Sequence, residues 1–258
     1  MNPAAESSFT MRTVRRWARA QNPLATRRMD KKVKAIVTRA VPYRDADMVL
    51  TLVTLEEGRM TASARGCLKP KAKLRFAATP MNFGEYMLAG KGDRYIVTDC
   101  VQYDSFSPIT QDIENYYAAS LVLELLARLS PSPQPGLFLA AVRELEALAY
   151  HGKRGRDSAC DFMLAALREG GNGLNLRVCS ACGCIVDGEA AFSEADGIVC
   201  PHCAPWDAVK IDAVTRAYLS GENRDIPDEF KTKANLLLAD LTDKMLGVRP
   251  DRSYFKEL

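Results

Sequence analysis

Two closely spaced pairs of cysteines carry the clearest chemical pattern in this chain of 258 residues. Cys179 and Cys182 form the first pair, Cys200 and Cys203 form the second, and residues 183–199 separate them. Two thiolates with two residues between them can hold one edge of a metal tetrahedron, so two such pairs can supply all four ligands of Zn²⁺. Because four protein ligands leave no open position for water, we expect a structural zinc ion that catalyses no reaction.

Other thiols offer alternatives to this assignment. Cys184 is an alternative zinc ligand, although Cys-x-Cys forms a tighter chelate than Cys-x-x-Cys, and free or redox-active thiols are the alternative to a metal site. Cys100 and Cys160 lie in apolar segments and are interpreted as buried thiols. The first 28 residues contain no apolar core typical of a signal peptide, so the eight cysteines do not indicate a disulfide scaffold and we expect a cytoplasmic protein.

Catalytic patterns are poorly represented. The chain has two histidines, His151 and His202, and contains neither an HExxH nor a GxSxG motif. The glycine and lysine residues at 84–91 have the wrong spacing for a phosphate-binding loop, and the His-x-Glu of zinc deaminases is absent. Asp45 and Asp47 are the candidate Mg²⁺ ligands of a nuclease, but a solvated turn explains them more simply. We therefore predict that the protein is not an enzyme.

Charge divides the chain into three parts. Residues 1–29 carry a net charge of +5, residues 30–108 carry +4 and residues 109–258 carry −6. The first part shows little apolar pattern and is predicted to be a disordered basic extension, with a transit peptide or a nucleic-acid-binding arm as alternatives. A basic amino-terminal part on an acidic body indicates a polyanionic partner for one end of the molecule. No apolar run is long enough to cross a membrane.

The second part has the period of β-strands. Near-continuous or alternating apolar residues predict five strands, at 32–41, 48–55, 59–65, 82–88 and 95–101. Five short strands within about 70 residues are typical of a barrel of the oligonucleotide-binding (OB) type. A small open sheet has the same periodicity and remains the alternative.

The third part has the period of helices. After Pro108 a leucine stripe from Leu121 to Leu129 predicts one amphipathic helix. Further helices are predicted at 136–150, 157–169, 207–220 and 228–246. The predicted fold class is therefore α+β: an OB-type barrel at 30–108, then a helical domain at 109–258 with an inserted four-cysteine zinc module at 177–206.

Cations in the barrel predict a nucleic-acid surface. Arg59 and Arg65 share one face of the third strand and lie roughly 20 Å apart, and the loop at 69–75 adds cations without an acid. Such a surface attracts a nucleic-acid backbone with strong salt dependence, although a charged strand face is often simply solvated. The predicted DNA-binding residues are Lys32, Lys34, Arg39, Arg44, Arg59, Arg65, Lys69, Lys71, Lys73 and Arg75. The predicted base-stacking side chains are Tyr43, Phe76, Tyr86 and Tyr95.

Several segments together resemble the RecO family of bacterial DNA repair proteins. The run at 43–66 (YRDADMVLTLVTLEEGRMTASARG) resembles the amino-terminal signature of the family, and the basic loop at 69–75 resembles the loop that follows it. The resemblance continues through the helical residues 116–125 and the cysteine module at 179–203, and covers about 29–246. Each motif is moderately specific, and their order is quite specific.

The resemblance implies a recombination mediator of the RecF pathway. Such a protein binds single- and double-stranded DNA, anneals complementary strands and catalyses no covalent reaction. With RecR it helps to load RecA on DNA covered by single-strand-binding protein (SSB), whose C-terminal tail it contacts. The residues that match the basic hairpin and loop of the family are Arg59, Arg65, Lys69, Lys71, Lys73 and Arg75. Two residues depart from the family pattern: Ala72, where many members have serine, and the additional thiol of Cys184.

One other class of protein fits the same residues. A zinc-ribbon regulator associated with transcription or with the ribosome would explain the cysteines and part of the charge. It predicts RNA or protein as the main partner and no annealing activity.

Overall fold

A computed structural model describes residues 29–91, 94–194 and 197–257. The basic extension predicted at 1–29 lies outside the described residues, except for Met29, which begins the first strand. Across the described residues, no helix combines the length and the apolar composition that a bilayer span requires.

Five strands close into a barrel, which confirms the OB-type prediction and rules out the open sheet. Neighbouring strands follow the order β1-β2-β3-β5-β4, and β4 pairs with β1 to close the cylinder. The β3–β5 pair is parallel, and the other pairs are antiparallel. The strands are β1 Met29–Tyr43, β2 Asp47–Thr54, β3 Gly58–Ala64, β4 Phe83–Lys91 and β5 Arg94–Asp104.

Alternation of side chains decides which faces of the strands are buried. In β3 the small or apolar residues Met60, Ala62 and Ala64 pack in the barrel interior, whereas Arg59 is exposed. Gly58 precedes them with φ +76°, and an added Cβ would lie 2.4 Å from the carbonyl carbon of Ser132. Glycine is therefore required at the turn between β2 and β3 both for the backbone conformation and for the close approach of the helical domain.

The barrel and the helices share a core. Ile36 and Val53 face outward from β1 and β2 and belong to the same buried apolar cluster as Leu121 and Val122 of the first helix. This second buried face explains the near-continuous apolar run of β2, because Leu50 and Leu52 fill the barrel while Val53 packs against helices.

Six helices in the described part of the chain, together with a small sheet, contribute the remainder of the core. The first is capped by Asp112, whose side chain accepts a hydrogen bond from the Asn115 backbone N–H at 2.9 Å. On the polar side of this helix, Arg128 Nη1 lies 2.9 Å from Glu124 Oε1, one helical turn away. The helices are α1 Ile113–Leu129, α2 Pro135–Tyr150, α3 Gly155–Glu169, α4 Ala213–Leu219, α5 Asp228–Leu246 and α6 Tyr254–Glu257. Two 3-10 turns lie at Phe76–Ala78 and Ser107–Gln111.

The segment between α3 and α4 contains a small sheet, and here one prediction was wrong. Strands β6 Ala190–Ser193, β7 Gly197–Val199 and β8 Val209–Ile211 pair in the order β7-β6-β8. The helix predicted at 207–220 therefore begins at Ala213, after β8. Asp212 stops it there, because its side chain accepts the Thr215 backbone N–H at 2.8 Å and caps the helix.

Candidate functional site

The first cysteine pair lies in a tight hairpin. The Cys179 N–H donates to the Cys184 carbonyl at 2.9 Å, and the Gly183 N–H donates to the Cys179 carbonyl at 2.8 Å. Gly183 has φ +73°, a left-handed conformation that glycine adopts without a steric penalty. The chain therefore reverses directly after Cys182 and carries Cys184 back beside Cys179.

The second cysteine pair packs against the first. Its turn is closed by the Cys203 N–H, which donates to the Cys200 carbonyl at 3.0 Å. The Ser180 N–H donates to the Ile198 carbonyl at 2.9 Å, and the Cys200 N–H approaches the Cys179 Sγ at 3.3 Å. Backbone N–H groups of Cys200 and Cys182 lower the pKa of Cys179 to about 6, because they stabilise the thiolate.

Four thiols meet at this junction, and a fifth belongs to the second hairpin. The Sγ atoms of Cys179, Cys182, Cys184 and Cys200 all lie within 4.8 Å of one another. The predicted ligand Cys203 lies outside that group, but hydrogen bonds with Cys182 and Cys200 raise its pKa to about 12. Three of the four predicted ligands are thus gathered together with the alternative ligand, Cys184.

A buried arginine ties this module to the helical domain. Arg216 on α4 is 2% exposed and donates to the carbonyls of Gly188 at 2.9 Å, Asp187 at 3.1 Å and Leu176 at 3.3 Å. Its guanidinium also pairs with both carboxylate oxygens of Glu222, at 2.6 and 3.1 Å. The sequence did not reveal this residue, because its neighbours in α4 give no sign that a cation would be enclosed.

The basic loop is held at its base by an aspartate. Asp47 Oδ1 accepts the Gly66 N–H at 2.7 Å, and the Ala46 carbonyl accepts the Leu68 N–H at 3.0 Å. Asp47 therefore positions the loop that follows β3. The side chains it presents are all exposed: Arg65, Lys69, Lys71, Lys73 and Arg75.

A second pair of predicted cations lies at the other end of β3. Arg39 of β1 and Arg59 of β3 line a cleft of about 750 Å³ between the barrel and α1. Arg59 crosses the cleft, since its Nη1 donates to the Ala127 carbonyl of α1 at 3.1 Å. The two arginines predicted to share a strand face therefore lie in different places: Arg59 in the cleft, and Arg65 just after β3 beside the basic loop.

Other predicted cations are engaged elsewhere. Lys32 pairs with Glu85 of β4 at 2.8 Å. This pair lies at the edge of β1 that faces β4, away from β2. Lys34 is exposed on the same part of β1. Arg44 lies over the ring of Tyr43 at 5.1 Å, so a cation and an aromatic face are presented together.

One predicted stacking residue was wrong. Tyr86 is buried inside the barrel, where its hydroxyl donates to the Ala77 carbonyl at 2.9 Å and burial raises its pKa. It faces inward because it occupies the interior register of β4. Of the other predicted residues, Tyr43 and Phe76 are exposed, and Tyr95 is half-buried with the Lys31 ammonium 5.3 Å above its ring.

The carboxylates considered as magnesium ligands do not converge. Among the described residues, the group of His, Cys, Asp and Glu side chains close enough to hold an ion is the cysteine cluster. Asp45 is exposed, and Asp47 is occupied by the basic loop.

Two family models and several known proteins match this chain. The family model described as Recombination protein O N terminal matches residues 29–106, and the model for Recombination protein O C terminal matches residues 110–224. The chain is 31% identical over 187 residues to the DNA repair protein RecO of Frankia casuarinae, covering 70% of this chain and 76% of that protein. It is 30% identical over 184 residues to the DNA repair protein RecO of Pelotomaculum thermopropionicum, covering 70% and 71%.

The two family matches lie on either side of the barrel-to-helix junction and together span most of the described chain. Both named relatives match over more than two thirds of their own length. The chain therefore belongs to the RecO family of DNA repair proteins.

Proposed function

We propose that this protein is a non-enzymatic recombination mediator that binds single- and double-stranded DNA and anneals complementary strands. The observation that carries the proposal is the row of cations along the outer face of the barrel, from the cleft through Arg65 to the basic loop. Family membership supports the same activity.

Exposure and charge favour a nucleic-acid backbone as the ligand of this row. The cations of the loop at 69–75 project into solvent with no acidic residue among them. Lysine and arginine release condensed counterions when they bind phosphates, so affinity should fall steeply with salt and depend little on sequence. Tyr43 with Arg44 offers a place where a base can stack. Simultaneous neutralisation of two strands would lower their mutual repulsion and favour annealing.

A structural Zn²⁺ is the metal that best fits the thiol cluster. Sulfur is the soft ligand that zinc prefers in closed sites, and the distance of 3.9 Å between Cys182 and Cys200 Sγ suits a tetrahedron with Zn–S bonds of about 2.3 Å. We assign Cys179, Cys182, Cys200 and Cys203 as ligands, with Cys184 as the alternative fourth thiolate. The ion would join the two hairpins and supply no reaction chemistry.

The protein partners rest on the family alone. We propose that the protein acts with RecR, contacts the C-terminal tail of SSB and helps to load RecA on SSB-covered DNA. For these activities we propose a cytoplasmic location in association with the nucleoid. The competing zinc-ribbon regulator would instead use the module around the cysteines, where Trp206 is 97% exposed, to bind RNA or a protein.

Fluorescence-monitored annealing of complementary strands coated with SSB tests the proposal. The reaction is run at two salt concentrations, without nucleotide and without magnesium. Accelerated, salt-sensitive annealing that leaves the strands intact is the expected result. Absence of acceleration by a zinc-loaded, folded protein would contradict the mediator and favour the regulator.

A further inference from the structure

The cleft between the barrel and α1 has two chemically different walls. The barrel wall is lined by Arg39 and Arg59 together with Thr51 and Thr61. Three of these residues are neighbours across the sheet, because Arg39 of β1 lies opposite Thr51 of β2 and Thr51 lies opposite Thr61 of β3. Two cations beside two hydroxyl groups are suited to phosphate oxygens.

The helical wall presents an aromatic ring. Tyr116 of α1 lines the cleft and is 45% exposed, and its backbone is fixed by the Ser120 hydroxyl, which donates to the Tyr116 carbonyl at 2.8 Å. The carboxylate on this wall, Glu124, is paired with Arg128 at 2.9 Å. Its repulsion of an anion is thereby reduced, and the cleft keeps the positive charge of the barrel wall.

The cleft continues directly into the proposed DNA surface. The outward residues of β3 are Arg59 and Thr61 in the cleft and Ser63 outside it, and Arg65 follows directly after the strand. Alternate residues of a strand are about 6.6 Å apart, so this row forms a polar track from the cleft to the basic loop. A strand bound to the loop and to Arg65 would therefore be directed towards the cleft.

We propose that the cleft binds an unpaired nucleotide of single-stranded DNA, with its phosphate at Arg39 and Arg59 and its base against Tyr116. The inference deepens the proposed function and rests on it. A duplex fits this site poorly, because its bases are stacked internally and extruding one costs a few kcal/mol. The cleft would therefore favour single strands over duplex DNA. The exposed basic loop gives no such preference, because it contacts phosphates alone.

Substitution of the cleft tyrosine tests this assignment. Tyr116→Ala is compared with Tyr150→Ala, which removes a similarly exposed tyrosine from α2, outside the cleft. Binding of fluorescein-labelled dT12 and of a labelled duplex of equal length is measured by anisotropy at one fixed salt concentration. Stacking of a base is worth about 1–3 kcal/mol, so Tyr116→Ala should weaken dT12 binding about tenfold and duplex binding less than twofold. Tyr150→Ala should leave both affinities unchanged, and Tyr116→Trp should restore dT12 binding.

A fluorescent base locates the contact. In single strands carrying one 2-aminopurine, the wild type should change the emission at the base that enters the cleft, and Tyr116→Ala should abolish that change. Equal losses for single strand and duplex, or no loss for either, would overturn the inference while leaving the proposed function standing. Selective displacement of dT12 from the wild type, but not from Tyr116→Ala, by an acidic peptide with an apolar C-terminus would assign the cleft to a peptide instead. A folded wild type that binds neither DNA would contradict the proposed function itself.

Discussion

The Sγ atoms of Cys182 and Cys200 lie 3.9 Å apart, although 17 residues separate the two cysteines in the chain. Regular tetrahedral zinc with bonds of about 2.3 Å places neighbouring sulfurs about 3.8 Å apart. The backbone thus brings the two hairpins to the separation that one shared ion requires. Hydrogen bonds between the hairpins maintain this separation; in one of them the Ser180 N–H donates to the Ile198 carbonyl.

Replacement of Cys182 by serine should release the metal and destabilise the fold. Loss of a structural zinc removes free energy that binding contributes to folding. If the free energy of unfolding falls by about 3 kcal/mol, Tm should fall by about 10 °C. Metal content by atomic absorption and melting by circular dichroism measure the two effects. A wild-type protein that is stable, folded and free of zinc would contradict the metal assignment.

Cys184 and Cys203 should substitute for one another at the fourth coordination position. Cys184 lies in the four-sulfur group, and Cys203 follows Cys200 in the same turn, so four cysteines remain in the module when either is removed. We expect Cys203→Ser to retain one metal ion per chain and to release it faster to a chromogenic chelator. The double variant Cys184→Ser/Cys203→Ser should lose the ion. If Cys203→Ser loses its zinc as completely as Cys182→Ser, Cys184 is not a ligand.

Neutralising the basic loop should weaken DNA binding and flatten its salt dependence. The variant replaces Lys69, Lys71, Lys73 and Arg75 with serine. For single strands the slope of log affinity against log salt is about −0.7 per phosphate neutralised, so its magnitude should fall by up to about 3. The fold should be unaffected because all four side chains are exposed. Anisotropy titrations at four salt concentrations measure the slope.

A matched variant controls for the change in net charge. It removes four exposed cations from outside the barrel: Arg143, Arg168, Lys210 and Arg249. Its salt slope should equal that of the wild type. Equal slopes for all three proteins would place the DNA surface elsewhere on the molecule.

Replacement of Asp47 by alanine should loosen the basic loop. The Gly66 N–H loses its acceptor, at a cost of about 1 kcal/mol in the free energy of unfolding. Asp45→Ala is the control, since Asp45 is exposed and outside this hydrogen bond.

The same two variants test for nuclease activity. We expect intact DNA from the wild type and from both variants in magnesium buffer, as judged on denaturing gels. Magnesium-dependent cleavage by the wild type that Asp47→Ala abolishes would identify a nuclease.

Arg216→Met should be strongly destabilising. The change removes the buried donor of the Leu176, Asp187 and Gly188 carbonyls and the closer of the two cations paired with Glu222. Each buried polar group left unpaired costs about 1–3 kcal/mol. Arg177→Met is a matched control, because Arg177 pairs with the same Glu222 at 3.3 Å but is 62% exposed. Its effect should stay below about 1 kcal/mol. Similar urea midpoints for the two variants would show that Arg216 does not anchor the module.

The strands and their faces were predictable because they depend on local alternation. Residues two apart share one face of a strand, so the interior position of Ala62 and the exposed position of Arg59 followed from the sequence alone. The failure at Tyr86 has the same origin. An aromatic residue of a strand can occupy either face, and the closed barrel placed this one inside.

The sequence by itself determined the five strands of the barrel, the leucine stripe of α1 and the two Cys-x-x-Cys motifs, because each depends on the spacing of residues that are close in the chain. Only the tertiary structure decided which distant groups meet. The reversal at Gly183 brings Cys184 to the metal cluster, the packing of α4 encloses Arg216, and the contact between barrel and α1 creates the cleft at Tyr116. These positions depend on contacts between segments far apart in the chain, and no local period encodes such contacts.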